Sequence, residues 1–232
     1  QRFIAGTDAA SALPELEKIW KEGVAFSVDL LGEACVSDAE AEEYRQRYLD
    51  LLINLPEHVA AWQENLILEQ DHLGPIPRTN ISIKISSLFA NTDPIAHDVS
   101  VQGLFDALKP ILEEAEKNGT LINFDMEQFE YKDLTLNLFM KCCDEINFPA
   151  GLAMQAYLRS GDEDAKRIIE WSTRTQRQVT VRLVKGAYWD TEIKLAQEKG
   201  LENYPVFTKK FITDLSYLKC AHILANSHNI FP

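Results

Sequence analysis

The sequence has no long hydrophobic run, a deficit of basic residues, and no cysteine or histidine pattern that would hold a metal. No stretch approaches the roughly 18 consecutive apolar residues of a membrane span, and the first residues do not form a signal peptide. The 23 Lys and Arg against 36 Asp and Glu give a net charge of −13, which argues against nucleic acid as a partner because phosphate backbones need basic patches. The four cysteines form no CxxC spacing and the five histidines no HxxH spacing, so we expect reduced thiols in a cytoplasmic protein and no metal site.

Five short segments have the composition of β-strands, and helical patterns lie between them. The strand segments are 24–30, 81–87, 120–126, 151–157 and 179–184. A capping box at Ser37 to Glu40 begins one predicted helix, and further helices are expected at 56–69, 101–118, 133–147, 162–176 and 209–225. This alternation indicates a parallel α/β protein. A chain with only ten glycines and neither GxGxxG nor GxxxxGK[ST] is not typical of a doubly wound nucleotide-binding fold, so a (β/α)8 barrel is favoured.

The predicted strands alternate between apolar and polar side chains. Ile81, Ile83 and Ile85 share one face of the second segment, and the other segments follow the same rule. In a barrel this polar row would point into the barrel interior. Its members at the carboxyl ends of the strands would lie at the face where barrel active sites are found. That row holds two cations, one anion and one amide, namely Lys84, Asp125, Gln155 and Arg182.

This mixture suits a zwitterionic or anionic substrate better than a metal ion. One alternative is purely structural, with Lys84 and Asp125 neutralising each other. Another is a Schiff-base lyase of the aldolase type, since Lys84 and Lys185 both lie at strand ends. A catalytically inactive barrel fragment that serves as an interaction module is a third.

Five ordered motifs carry a resemblance to a known family. They are DLLGEA at 29–34, IKIS at 83–86, QAY at 155–157, VRLVKGAYWD at 181–190 and YPVFTKK at 204–210. Over essentially its whole length the chain resembles the proline dehydrogenase domain of bifunctional proline utilization A.

The resemblance implies an FAD-dependent (β/α)8 barrel that oxidises L-proline to Δ1-pyrroline-5-carboxylate, the first step of proline catabolism to glutamate. It implies hydride transfer to flavin N5 and a quinone acceptor at the membrane surface, hence a cytoplasmic protein peripheral to the inner face of the membrane. By the same resemblance Lys84 contacts the proline carboxylate, Asp125 lies beside the substrate, and Arg182 lies next to flavin N5. Glu33 corresponds to a substrate gate. The cofactor contacts implied are Gln155, Arg182, Lys185, Gly186, Ala187, Tyr188, Trp189, Thr208, Lys209 and Lys210.

The resemblance also predicts how much of a complete proline dehydrogenase barrel this sequence contains. We expect residues 1–232 to form one partial barrel, with roughly the first five strands and their helices. Strands six to eight, the last helix and the aldehyde dehydrogenase domain of the same parent chain would lie outside this sequence.

Overall fold

The computed structural model describes residues 4–32, 34–71 and 74–231. The helices are α1 (Ala9–Lys21), α2 (Asp38–Ala60), α3 (Leu66–Glu69), α4 (His97–Asn118), α5 (Lys132–Glu145), α6 (Gly161–Thr175), α7 (Trp189–Glu198) and α8 (Lys210–Ala225). The strands are β1 (Val28–Asp29), β2 (Gln70–Asp71), β3 (Gly74–Pro75), β4 (Asn80–Ile83), β5 (Leu121–Phe124), β6 (Ala150–Gln155), β7 (Val179–Val184) and β8 (Ile230–Phe231).

The larger sheet has six strands in the order β1-β4-β5-β6-β7-β8, and β2 and β3 form a separate antiparallel pair. The β1/β4, β6/β7 and β7/β8 pairs are parallel, and helices connect β4 through β8 along the chain. Each strand neighbours the next one in sequence with no reversal of order, as in a barrel and unlike a doubly wound sheet. The predicted parallel α/β class is confirmed.

Several strands are shorter than the sequence pattern predicts. The segment 24–30 contributes only β1, and the segment 81–87 stops at Ile83 because residues 85–87 form a 3-10 turn closed by the bond from Ser87 N to Lys84 O (3.2 Å). The prediction for 179–184 matches β7 at both ends. The two-residue strand β8 and the β2–β3 hairpin were not predicted from the sequence.

The chain divides into two compact units. The first comprises residues up to 123 together with 141–149, and the second comprises 124–140 together with 150 onward. In the first unit, α2 packs against α1 and α4 through side chains that are almost wholly buried. The predicted cap of α2 is present, since Ser37 Oγ accepts from Glu40 N (3.3 Å).

The prediction of a separate helix over 56–69 is wrong. Pro56 lies inside α2, which continues to Ala60, and only the single turn α3 follows. Proline has no N–H, so within a helix the carbonyl four residues earlier loses its donor. Here that carbonyl belongs to Leu52, and the side-chain amide of Asn118 donates to it at 2.7 Å. A residue from the end of α4 therefore replaces the missing bond, and α2 continues through the proline.

In the second unit β6 and β7 pair over five register positions, and α6 and α8 pack together. Helix α6 buries an apolar stripe that ends at Trp171, whose ring lies 5.9 Å from that of Phe139. Phe124 at the end of β5 contacts the same ring of Phe139 at 5.4 Å. This aromatic chain fixes the strand ends from which the polar residues of the unit project.

All four cysteines are buried free thiols: Cys35, Cys142, Cys143 and Cys220. Across the described residues, no helix has both the length and the apolar character that a membrane crossing requires. The same residues contain no group of three or more His, Cys, Asp or Glu side chains placed to hold a metal ion.

Candidate active site

In the first unit, Lys84 and Asp29 form an ion pair at the carboxyl ends of adjacent parallel strands. Asp29 is the last residue of β1, and Lys84 directly follows β4. The Lys84 Nζ lies 2.5 Å from Asp29 Oδ1, and both side chains remain partly exposed, at 22% and 41%. A lysine held in this way is an ammonium group that can still reach an anion from solvent.

The polar face predicted for these strands is continuous in the first unit. The hydroxyls of Ser27 and Ser82 lie 3.3 Å apart, and Asn123 Nδ2 donates to Ser82 Oγ at 3.5 Å. Ser82 and Asn123 are almost fully buried, so their mutual hydrogen bonds replace the water that they lose. Polar side chains therefore occupy one face of β4 and β5, as the alternation predicts.

The second unit carries its own ion pair, between Asp125 and Arg182. Asp125 directly follows β5, and the Arg182 guanidinium donates from Nη2 to Asp125 Oδ1. The aspartate side chain is 13% exposed, whereas the arginine remains 46% exposed. The carboxylate thus holds the guanidinium, and much of the arginine side chain stays accessible.

Gln155 is the last residue of β6 and is buried. Its Nε2 donates to the carbonyls of Met126 (3.3 Å) and Glu127 (3.1 Å), which fixes the orientation of the amide. Its Oε1 is buried and has no hydrogen-bond partner. A fixed acceptor without a donor inside a protein is costly, so it favours a ligand that brings an N–H or O–H.

A cavity of about 360 Å³ lies beside the loop after β7 in the same unit. Its lining contains two lysines, two threonines, three aromatic rings and a glycine: Lys185, Lys210, Thr208, Thr213, Tyr157, Trp189, Phe207 and Gly186. Trp189 is 41% exposed, and its indole N–H donates to Phe207 O at 2.9 Å, which fixes the ring. Ammonium and hydroxyl donors beside a fixed aromatic ring suit a ligand with phosphates and a planar base.

Tyr157 holds this cavity together through its main chain and its ring. Its N–H donates to Lys185 O at 2.7 Å, and its carbonyl accepts from Phe207 N at 2.9 Å, so two loops are tied to one residue. Its ring lies against Gly186, where an added Cβ would come within 2.5 Å of the ring carbons. Burial, and then the nearby Glu192 carboxylate, raise the pKa of the Tyr157 phenol well above its ordinary value, so the ring stays neutral.

Apart from Gln155 and Arg182, whose contacts are given above, the predicted cofactor residues fall into two groups. Five of them line the cavity, namely Lys185, Gly186, Trp189, Thr208 and Lys210. Three lie in the same segments but off the cavity wall: Ala187 is exposed, and Tyr188 and Lys209 directly precede α7 and α8. The Lys209 Nζ lies 6.0 Å from the centre of the Phe211 ring. Glu33, predicted as a gate, lies outside the described residues.

Sequence reasoning missed four residues of this region: Tyr157, Phe207, Thr213 and Asp214. Tyr157 and Phe207 stood inside quoted motifs, but neither had a role assigned. Thr213 and Asp214 fall one turn after Lys210 on a helix, so helical spacing from a predicted lysine is the signal that could have found them. Asp214 lies 2.6 Å from Lys185 Nζ and 2.7 Å from Lys210 Nζ, and these two lysines hold the pKa of its carboxyl below the ordinary value.

The residues present fit a flavin dinucleotide. The unpartnered Gln155 Oε1 can accept from the imide N–H of a flavin ring, and the cavity lysines and threonines can donate to its phosphates. Trp189 offers an exposed ring face for a planar base.

The strand order is that of a barrel-type α/β protein, and the donor-rich cavity of the second unit suits an anionic ligand. The family profile described as proline dehydrogenase matches residues 12–232, and the chain belongs to that family. Over 237 residues it is 34% identical to the bifunctional protein PutA of Klebsiella aerogenes, covering 100% of this chain and 17% of that relative. The chain therefore spans about a sixth of the length of such curated relatives.

Two further relatives agree with this assignment. Proline dehydrogenase 1 of Bacillus subtilis (strain 168) is 26% identical over 188 residues, which cover 81% of this chain and 52% of that protein. The solved structure of PutA from Bdellovibrio bacteriovorus, inactivated by N-propargylglycine, is 37% identical with a TM-score of 0.94 and covers 98% of this chain and 24% of that one.

Proposed function

We propose that this chain is the flavin-binding part of an FAD-dependent proline dehydrogenase that oxidises L-proline to Δ1-pyrroline-5-carboxylate. Membership of the proline dehydrogenase family supports the reaction, and one related PutA structure has proline bound in remote sites. The observation that carries the cofactor assignment is the cavity of about 360 Å³ lined by Lys185, Lys210 and Thr208 beside the fixed ring of Trp189.

The proposed reaction removes a hydride from proline C5 and a proton from the ring nitrogen, leaving a C=N bond. A bound flavin would supply the two-electron acceptor at its N5 position, with a quinone as the final electron acceptor. Because the quinone lies in the membrane, the proposed protein would be cytoplasmic and peripheral on the inner face of the membrane. The product would pass to an aldehyde dehydrogenase domain of the same parent chain.

Arg182 is proposed as the cation that stabilises the negative charge that develops during hydride transfer. Its guanidinium is held by Asp125 while the side chain stays 46% exposed, so the cation is already in place as charge builds up. Asp125 has a second proposed role, because a partly buried carboxylate beside the substrate favours a positively charged amine over other ligands.

Lys84 is proposed as the cation that binds the proline carboxylate. Asp29 holds its Nζ at 2.5 Å, which orders the side chain before substrate arrives. The same contact argues against a Schiff-base lyase that uses Lys84, since that chemistry needs a neutral amine and a carboxylate partner stabilises the charged one.

The test uses the full-length protein with its bound flavin. L-Proline should bleach the oxidised flavin absorbance under anaerobic conditions, and D-proline, with the opposite configuration at the carboxylate-bearing carbon, should bleach it far more slowly. Absence of a bound flavin, together with borohydride trapping of a carbonyl substrate on a lysine, would contradict the proposal and support the lyase.

The same assay tests the residue roles. Arg182→Met and Asp125→Ala should each slow proline-dependent bleaching by about a hundredfold or more, as expected when a group that stabilises transition-state charge is lost. Lys199→Met, which removes an exposed ion pair between Glu130 and the residue that follows α7, should leave the rate close to that of the native protein. Native rates in either site variant would contradict the assignment.

A further inference from the structure

Asp214 lies between the two cavity lysines and contacts both. It is on α8, one turn after Lys210, whose Nζ lies 2.7 Å from its Oδ2. Lys185 comes from the loop after β7, and its Nζ lies 2.6 Å from Oδ1 of the same carboxylate. The contact with Lys185 is a close ion pair that lacks hydrogen-bond geometry. One carboxylate thus joins two cations from different segments.

Both lysines are otherwise free to move. Their side chains are 49% and 79% exposed, and each has several rotatable bonds whose freedom is lost on binding an anion. Two ammonium groups at one cavity also repel each other. A carboxylate between them removes the repulsion and orders both side chains, while each ammonium keeps further N–H donors for a ligand.

We propose that Asp214 is a positioning residue for cofactor binding, which fixes Lys185 and Lys210 so that both ammonium groups face the phosphates of a flavin dinucleotide. The inference rests on the proposed function, because that function supplies the phosphates. The opposite role is also physically possible: a carboxylate that only cancels positive charge would weaken anion binding, and its removal would then strengthen it. The two roles predict opposite changes in affinity.

The test measures the Kd for FAD of flavin-stripped full-length protein by quenching of flavin fluorescence. Asp214→Asn should raise the Kd about tenfold, the usual scale for losing an ordered, charge-assisted contact. Asp214→Glu, which keeps the charge on a longer side chain, should recover part of the affinity.

The matched control is Asp162→Asn. Asp162 Oδ2 lies 2.6 Å from the Nζ of Lys219, a lysine that is on α8 like Lys210. Neither Asp162 nor Lys219 lines the cavity. This variant should bind FAD within about twofold of the native protein, since loss of a partly exposed ion pair that does not touch the cavity has little effect there.

A pH series separates positioning from general damage to the fold. Asp214 raises the pKa of Lys185, mainly through its side-chain contact. In Asp214→Asn, Lys185 should therefore lose its proton at a lower pH, and FAD affinity should begin to fall at a lower pH than in the native protein. A misfolded variant would instead lose affinity equally at every pH.

Two results would overturn the inference: an unchanged or tighter Kd for Asp214→Asn, or a weaker Kd with the native pH profile. A native protein that binds no FAD would overturn the proposed function itself. The failures of the two proposals are therefore distinguishable.

Discussion

At the scale of single residues, Glu192 is a carboxyl group that the second unit buries to 3% exposure. It accepts a hydrogen bond from Phe129 N at 2.7 Å. Burial raises the pKa of this carboxyl above its ordinary value of 4.5, the nearby Glu130 adds to the increase, and the Phe129 N–H opposes it. The folded protein therefore holds this proton more tightly than the unfolded chain does.

The sign of the pH effect follows from that difference. A carboxyl whose pKa rises on folding favours the folded state at low pH, and its contribution is lost as the pH rises from 4.5 through the folded pKa. Glu192→Gln cannot ionise and keeps an oxygen for Phe129 N, so its free energy of unfolding should lack this decline. Urea unfolding at several pH values checks the prediction, with the exposed Glu198→Gln on the same helix as control. Equal slopes for native and Glu192→Gln would refute it.

Gly186 meets two constraints at once, a backbone φ of +131° and the ring of Tyr157. Gly186→Ala should lower the free energy of unfolding by about 3 kcal/mol, because both backbone strain and overpacking apply. Gly200→Ala is the matched control, with a φ of +62° and open space where the Cβ would lie, and should cost about 1 kcal/mol. Similar losses in the two variants, measured by urea unfolding, would show that the Tyr157 contact has no effect.

At the scale of elements, Arg78 stabilises the carboxyl end of α2. Its Nη1 donates to the carbonyls of Val59, Ala60 and Trp62 at 3.0 to 3.4 Å. Its Nε donates to Glu69 Oε2 at 2.7 Å. Helix ends carry unsatisfied carbonyls and a partial negative charge, so a guanidinium there satisfies both.

Arg78→Met should therefore lower the free energy of unfolding by about 2 kcal/mol, since it removes charged hydrogen bonds from a largely buried site. Arg47→Met offers a comparison on the same helix. Arg47 is 54% exposed and pairs only with Glu43 among the ion pairs of the described residues, so its loss should cost less than about 0.5 kcal/mol. The denaturant midpoints of the two variants decide the matter; equal midpoints would contradict the capping role.

The elements also show where sequence patterns succeed and where they fail. Strand β7 matches its prediction because Val and Leu alternate with Thr180 and Arg182 along most of its length, and Val184 ends it. The helix boundary at Pro56 was wrong because the compensating donor, Asn118, is 62 positions away in sequence. Local patterns contain hydrophobic periodicity and caps, but they do not contain a long-range hydrogen bond that makes a proline tolerable.

At the scale of the whole molecule, an acidic protein with a net charge of −13 presents a small cationic cavity. Alternation along strands predicted Lys84, Asp125, Gln155 and Arg182 as polar positions, but it did not predict that Lys84 pairs with Asp29 or that Asp125 pairs with Arg182. The partner of the cavity lysines did not follow, because Asp214 reaches Lys185 only after the chain has folded back through α7 to α8. Residue type can thus be read from sequence, whereas mutual orientation requires the fold.

The cationic cavity predicts how the protein responds to flavins of different charge. At a concentration of 100 times its Kd, FAD should stabilise flavin-stripped full-length protein by about 2.7 kcal/mol and raise its Tm. Riboflavin, which lacks phosphates, should raise the Tm much less.

A double variant, Lys185→Met with Lys210→Met, should bring the FAD effect down toward that of riboflavin. The corresponding change at two exposed lysines on or next to α7, Lys194→Met with Lys199→Met, should leave the difference intact. Thermal unfolding monitored by circular dichroism gives the readout. Equal Tm shifts for FAD and riboflavin in the native protein would contradict a phosphate-binding cavity.

The four buried thiols have a use that is independent of catalysis. Burial raises the pKa of Cys142 well above its ordinary value, and it also raises those of Cys35 and Cys220, so these thiols resist alkylation while the fold is closed. Cys35 lies before α2, Cys142 and Cys143 lie on α5, and Cys220 lies on α8. Mass spectrometry after timed exposure to iodoacetamide would therefore report how often each of these three places opens to solvent. The native cysteines are therefore sufficient probes of local opening, and no further cysteine has to be introduced.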